Sequence, residues 1–456
     1  MDWNVNGVIA AGGIGIACLA LSRILKPRVA ESHKRGVRLI DATASRRIII
    51  KRRKRHAEQL TLAGVPIPPL DETKHFKLIG TTGTGKSTAI RELLGTAIAR
   101  GDRVIFADPD GSYLQRFYNR LRGDIVLNPF ERESVKWDLF AEVNNDYDVE
   151  QLVSALIADT QDPSAREWRG YARTFLSAVI RGCRTARWPD AANLWRLLMV
   201  APVEELRPIV AGTPAQPFLD AENARMFGSI RSVTGSALAA FEYIQAQRAT
   251  PFSVRHWVRD QGRPSLLFVP YKASQIAALR SLIAAWMRLA IFEALSQREG
   301  DHRLWFVIDE LDALGAIDGL KDALARLRKF GGRCVLGFQS LSQVSATYGQ
   351  DAQTIVENCT NSLILRCAGS ENGGTSQFAS KLIGERELIR RQVSRGTDRD
   401  GIFSARGSRR SRNVSEQHVI ESAVMPSELE LLPDMRGYLK LASASHWLKV
   451  SLGNRS

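Results

Sequence analysis

The sequence predicts an α/β fold: a parallel sheet built around a phosphate-binding loop, interrupted by an all-α insertion and preceded by a short N-terminal transmembrane anchor. Three observations carry that reading. A G-x-x-x-x-G-K-[ST] loop lies between a short apolar strand and a helix near residue 80, a second apolar strand ends in Asp309-Glu310, and helix-patterned sequence fills the space between.

Of the 456 residues, 44% are apolar and 24% charged, ordinary proportions for a chain that folds around real cores. The five cysteines, Cys18, Cys183, Cys334, Cys359 and Cys367, have no zinc-ligand spacing. They read as reduced thiols of a cytosolic compartment. The formal charge of +15 is concentrated in two places. Residues 23–55 hold thirteen Lys/Arg against Glu31 and Asp41, and residues 390–412 hold eight Arg against Asp398 and Asp400. The rest is close to neutral, so the charge marks two local features and not a basic surface all round.

Gly7 to Ser22 carries no charge. Its sixteen residues would span about 24 Å as a helix, and Val5, Ile24 and Leu25 extend it toward a hydrocarbon core of about 30 Å. Basic residues follow the apolar run, whereas a cleaved signal peptide carries them before it. The expectation is an uncleaved single-pass anchor over residues 1–25, with the bulk of the chain in the cytoplasm. Residues 26–59 form a basic juxtamembrane linker. Within it, Arg46 to Arg55 reads as a strand over Ile48–Ile50, a patch for anionic lipid, or a solvated connector.

Phe76–Ile79 is the strand that feeds the loop Gly80, Thr81, Thr82, Gly83, Thr84, Gly85, Lys86, Ser87, Thr88, and Thr88–Ala99 is the helix that leaves it. Glycines let backbone N–H groups turn inward around phosphates, and the helix N-terminus adds its positive end. Lys86 is placed to reach the β- and γ-phosphates, and Ser87 to offer a hydroxyl to Mg2+. Arg103–Ala107 is the next strand, ending in Asp108-Pro109-Asp110-Gly111, which reads either as a plain turn or as part of a site at the carboxyl edge of the sheet.

Leu304–Ile308 reads as a fully buried strand. It delivers Asp309 to hold Mg2+ and Glu310 to polarise the attacking water. A helix over Ile317–Phe330 and a strand over Arg333–Phe338 follow, and Gln339 stands at that strand's end, where an amide can sense the γ-phosphate or simply satisfy a loop. Asn361–Arg366 is a further strand. No NKxD motif for reading guanine is present, which favours ATP over GTP. The strand spacing and Gln339 fit a RecA-like P-loop NTPase core.

Between the two halves, residues 146–250 read as helices, with Pro202, Pro208, Pro214 and Pro217 as breaks. Trp168, Arg169, Tyr171 and Arg173 either stack on bases and hold phosphates or divide into core aromatics and a solvated basic face. The domain division is therefore 1–25 anchor, 26–59 linker, 60–145 and 251–456 nucleotide-binding domain, and 146–250 insertion. The stretch Arg390–Arg412, rich in Arg and Gly, reads as a mobile loop touching DNA backbone.

From about Leu60 onward these residues resemble the TraD/TrwB-type coupling proteins of conjugation. The resemblance rests on Gly64–Pro69, the P-loop, Arg116–Glu142, Val307–Leu314 and Ala325–Gln343. It implies a RecA-like ATPase with an all-α insertion, assembled as a homo-hexamer on the inner membrane and stimulated by DNA. The implied partners are a relaxase-bound single strand, with double-stranded DNA a second possibility, and the type IV secretion channel. Lys86, Ser87, Asp309, Glu310 and Gln339 take the roles given above, and Arg328 falls where such proteins place an arginine acting on the neighbouring subunit's nucleotide. Members usually have two transmembrane helices, where one is visible here, and contacts made by a long C-terminal tail are not expected. Two other readings of the chain are a type IV secretion ATPase for protein substrates and an ATP-switched docking receptor.

Overall fold

The computed structural model describes residues 30–42, 58–160, 162–187, 189–370, 374–398 and 409–453. The expected anchor over residues 1–25 and the strand over Ile48–Ile50 lie outside them. Among the described residues no helix is long and apolar enough to cross a membrane.

Runs of β-branched and aromatic residues with no polar face must be covered on both sides, so they become inner strands of a parallel sheet. Ten strands form that sheet: β1 (Leu39–Asp41), β2 (Phe76–Ile79), β3 (Arg103–Pro109), β4 (Ile125–Val126), β5 (Leu267–Tyr271), β6 (Leu304–Ile308), β7 (Gly332–Phe338), β8 (Asn361–Ile364), β9 (Arg436–Lys440) and β10 (Trp447–Ser451). Their order across the sheet is β1-β10-β9-β8-β2-β7-β6-β3-β5-β4. From β8 to β4 all neighbours run parallel. β9 is antiparallel to both β8 and β10. β2, β5, β6 and β7 are buried at every position. The architecture is thus the α/β, NTPase-like one expected.

β5 is an inner strand that carries Pro270 in its Leu-Phe-Val-Pro-Tyr run, although proline argues against an inner strand. The structure accommodates it: β4 pairs only with Leu267 and Phe268, so by Pro270 that neighbour has ended. The missing N–H costs no ladder bond there.

Helix α1 (Lys86–Ala99) returns across the sheet and buries Ile90, Leu93, Leu94 and Ala97. Each such leucine or isoleucine contributes about 1.5–3 kcal/mol by leaving water. After β3 the chain turns through Asp110 and Gly111, both at positive φ, into a short helix, Ser112–Phe117.

Every described element between residues 146 and 246 is helical, from Asp146–Leu156 through Phe241–Ala246. The first of these helices starts on a capping box made by Asn145 and Asp148. The next, Pro163–Thr185, starts on the Asp162 side chain with proline in its first turn. The chain enters and leaves this block on two short strands, Lys136–Trp137 and Pro251–Phe252, that pair side by side. The buried Glu142 carboxylate ties the two together, accepting from Trp137 Nε1, Ser253 Oγ and the backbone N–H groups of Val254 and Arg255. These helices belong to the same compact unit as the sheet.

Among the described residues, 30–38 together with 380–398 and 409–425 form a second compact unit. Arg390–Arg412 is not a loop throughout. Residues 385–398 are a strand paired antiparallel with Arg409–Ser422, in a register running from Glu385↔Ser422 to Asp398↔Arg409. Ala30–Gly36 adds a third strand. The composition argues against a core here, and a backbone ladder needs none. Cross-strand ion pairs line it: Arg386 and Arg390 on Glu421, and Arg391 on Glu416.

Candidate nucleotide-binding site

Parallel strands that share a register end at one edge, and this places Gly80, Gln339 and Asp309 side by side at the carboxyl ends of β2, β7 and β6. β7 stands between the other two, so residues far apart in sequence converge through one intervening strand.

The loop from Gly80 to Thr88 is a tight turn. Gly83 and Gly85 take φ of +78° and +113°, conformations open to glycine and strained for other residues. At Gly85 a Cβ would also come within 2.8 Å of both Leu452 and Met435. Thr84 is buried and donates its hydroxyl to the Thr81 carbonyl at 2.7 Å. Thr82 is exposed and donates to Gln339 Oε1 at 3.0 Å. Thr88 is half-buried in the first turn of α1. Lys86 folds back onto the loop, with Nζ 2.6 Å from the Gly80 carbonyl and 3.2 Å from that of Thr81. Burial pulls its ammonium below the usual value, and Asp309 and Glu310 oppose that pull.

Asp309 is 3% exposed. Its Oδ2 accepts from Ser87 Oγ and from the Tyr113 hydroxyl, each at 2.7 Å. Its Oδ1 is buried with no partner. A buried carboxylate oxygen without a donor is costly unless something else fills the position. Hard oxygens from a carboxylate and a hydroxyl are the donors Mg2+ prefers, so these residues fit that ion. β7 makes the approach possible: a Cβ at Gly337 would lie 2.3 Å from the Asp309 carbonyl oxygen.

Glu310 is half-buried, and its carboxyl is pushed up by desolvation first and then by the charges of Asp309 and Asp312. Gln339 Nε2 lies 3.5 Å from Glu310 Oε1, while its Oε1 accepts from Thr82. One amide therefore spans from the loop to the acid. Asp108 holds the turn into the Ser112–Phe117 helix: it accepts from the backbone N–H groups of Tyr113 and Leu114. Burial pushes its carboxyl up to about 6, against those bonds.

The structure does not bring Arg328 to this edge. It is exposed in a 3-10 turn that precedes β7, at the opposite end of the sheet. There Gly331 packs on Asp301 and His302, just ahead of β6. Arg169 and Arg173 each bond carbonyls closing the previous helix, Ala158 and Ile157, and Trp168 meets Tyr171 edge-on at 5.8 Å. Sequence reasoning missed Tyr113 and Gly337. A lone glycine inside an apolar strand was the available signal for the second. Tyr113 had none.

The family model described as the type IV secretion-system coupling protein DNA-binding domain matches residues 59–453. Coupling protein TraD of Escherichia coli (strain K12) is 30% identical over 405 residues, covering 86% of this chain and 54% of that protein. The chain thus spans about half of that relative's length. The plasmid coupling protein TrwB in complex with the ATP analogue ADPNP superposes with a TM-score of 0.78 at 30% identity, over 93% of this chain and 95% of that one. TrwB in complex with ADP and Mg2+ does so at 0.80 and 30%, over 94% and 96%.

Proposed function

The chain belongs to the type IV secretion-system coupling proteins, and on that premise we propose that it is an ATPase that moves DNA during conjugation. In this reading it binds ATP with Mg2+ and hydrolyses it. It drives a relaxase-bound plasmid strand, or duplex DNA, toward a type IV secretion channel, as a RecA-like homo-hexamer at the inner membrane. The observation that carries the proposal is Asp309, held by Ser87 with one oxygen free beneath a P-loop. The nucleotide complexes of TrwB and the naming of TraD as a coupling protein support it.

Ser87 and Asp309 would hold Mg2+, which when bound neutralises phosphate charge. Lys86 leaves the carbonyls of Gly80 and Thr81 for the phosphates, exchanging one set of oxygen acceptors for a charged one. Glu310, whose carboxyl is desolvated beside Asp309, orients the attacking water and takes its proton. Gln339 bridges Thr82 and Glu310, so a change at the phosphate end of the loop reaches the acid and the helix that begins beyond Ser340. Arg328, remote from its own site, serves a neighbour's. The division into anchor, linker, nucleotide-binding segments and helical insertion follows the same reading.

The test is the ATPase rate with no DNA, single-stranded DNA and duplex DNA at stated salt. Stimulation by DNA is expected. Turnover indifferent to both nucleic acids would overturn the DNA motor and favour a protein substrate. Nucleotide binding without turnover would favour a docking receptor.

A further inference from the structure

Asp309 is clamped by a residue outside every motif in the chain. Tyr113 is fully buried, and its hydroxyl donates to Asp309 Oδ2 at 2.7 Å, on the same oxygen as Ser87. Three side chains fix the phenol. Asp108, the carboxyl-terminal neighbour of β3's apolar run, accepts the Tyr113 and Leu114 N–H groups at 3.0 and 2.7 Å and so anchors the turn that carries it. Phe106 stacks on the ring with centroids 5.2 Å apart, and the Arg91 guanidinium of α1 lies 5.9 Å from the ring centroid.

An ionised carboxylate only accepts hydrogen bonds, and a neutral phenol has one proton to donate. Ser87 likewise has one hydroxyl hydrogen. With that hydrogen on Asp309, both Ser87 lone pairs stay available to a cation. A single donor leaves a carboxylate free to swing about its Cβ–Cγ bond. A second donor from another direction on the same oxygen holds the plane, and with it the partnerless Oδ1. Partners behind a metal ligand set its orientation, and their loss typically costs 10–100-fold in metal affinity.

We propose that Tyr113 is a positioning residue for Mg2+: its hydroxyl locks the Asp309 carboxylate so that Oδ1 faces the cation bound with ATP. The proposal rests on the nucleotide site described above. Asp108 serves the same end at one remove, by holding the short helix that carries Tyr113.

The experiment compares the full chain with Tyr113→Phe, which removes one oxygen and keeps the stack on Phe106. A non-hydrolysable ATP analogue is titrated without metal and then over a range of Mg2+ concentrations. The variant is expected to match the unmodified chain without metal and to need about ten-fold more Mg2+, or above, to reach the same affinity. An unchanged Mg2+ requirement overturns the assignment. So does a variant that also loses metal-free affinity, because the hydroxyl would then serve the fold instead. If the unmodified chain binds no analogue at all, the nucleotide site itself falls and Tyr113 with it, an outcome distinct from the other two.

Discussion

Lys86 and His75 lie at the two ends of β2 and illustrate two uses of a buried titratable group. Lys86 bonds only loop carbonyls and joins no ion pair, so its removal should spare the fold. Lys86→Ala is expected to lose at least about a hundred-fold in ATP turnover, the scale of deleting one charge-stabilising donor. An unchanged melting temperature beside that loss is the check. A variant with near-normal turnover would remove the nucleotide from this loop. His75 is structural: Nδ1 accepts from Cys334 N and Nε2 donates to the Leu324 carbonyl, so the neutral ring is required. Burial pushes it down to about 4. The unfolded chain would protonate near 6.5, so the folded state is favoured fully above that value and loses ground as pH falls toward 4. The loss is of order 3 kcal/mol. Urea unfolding at pH 7 and pH 4.5 should show it, with a smaller drop in His75→Gln. Equal drops in the two proteins would assign the acid sensitivity elsewhere.

At the scale of elements, strands were read most accurately where they are buried on both faces. β2 and β6 have the predicted ends, whereas the helix expected over Ile317–Phe330 is Leu320–Leu327 followed by a 3-10 turn. Gly319 at positive φ opens that helix and Gly331 at positive φ closes the turn. The antiparallel pair 385–398 and 409–422 escaped because its alternation is of charge against charge, with no apolar face to reveal the period. Its register is held by glutamates: Glu387 takes Lys34, Arg35 and His418, and its carboxyl is pushed down to about 2 by those bonds, Lys34 first. Arg390 and Arg391 are committed to Glu31, Glu421 and Glu416. The expected DNA contact of the whole Arg390–Arg412 stretch is tested through three arginines that fall outside those pairs with Glu31, Glu421 and Glu416 by position alone. Replacing Arg395, Arg399 and Arg406 with Gln should lower the salt slope of DNA binding by roughly three, equally for all sequences. The same slope after the triple change would leave the ribbon without a DNA role.

For the whole molecule, the informative distance is between Arg328 and the P-loop at opposite ends of one sheet. Arg328 is exposed in the turn before β7, and the P-loop lies beyond the far end of β2. A side chain cannot bridge that span, so any action on phosphate must come from another copy. An arginine supplied in trans is worth about 10³–10⁵ in rate. Arg328→Ala and Lys86→Ala chains should each be inactive alone and regain turnover when co-assembled, since some interfaces then pair an intact loop with an intact arginine. Mixed rings without activity would exclude a trans role, and full activity of Arg328→Ala alone would remove it from the site.

Sequence alone determined what depends on neighbours along the chain: the P-loop, whose glycines must reach positive φ between a strand and a helix, and the Asp309-Glu310 edge of an apolar strand. It also placed the helical block, because periodicity is a local signal. Tertiary structure decided what depends on which strands lie side by side. The clamp of Tyr113 on Asp309 joins residues 196 positions apart. It exists because β3 and β6 are neighbours in the sheet. The same adjacency of β6 and β7 demands Gly337, and the glutamate-held ribbon forms only once distant strands meet. Pairing of strands remote in sequence leaves no period in either one, so these features became visible only in the folded chain.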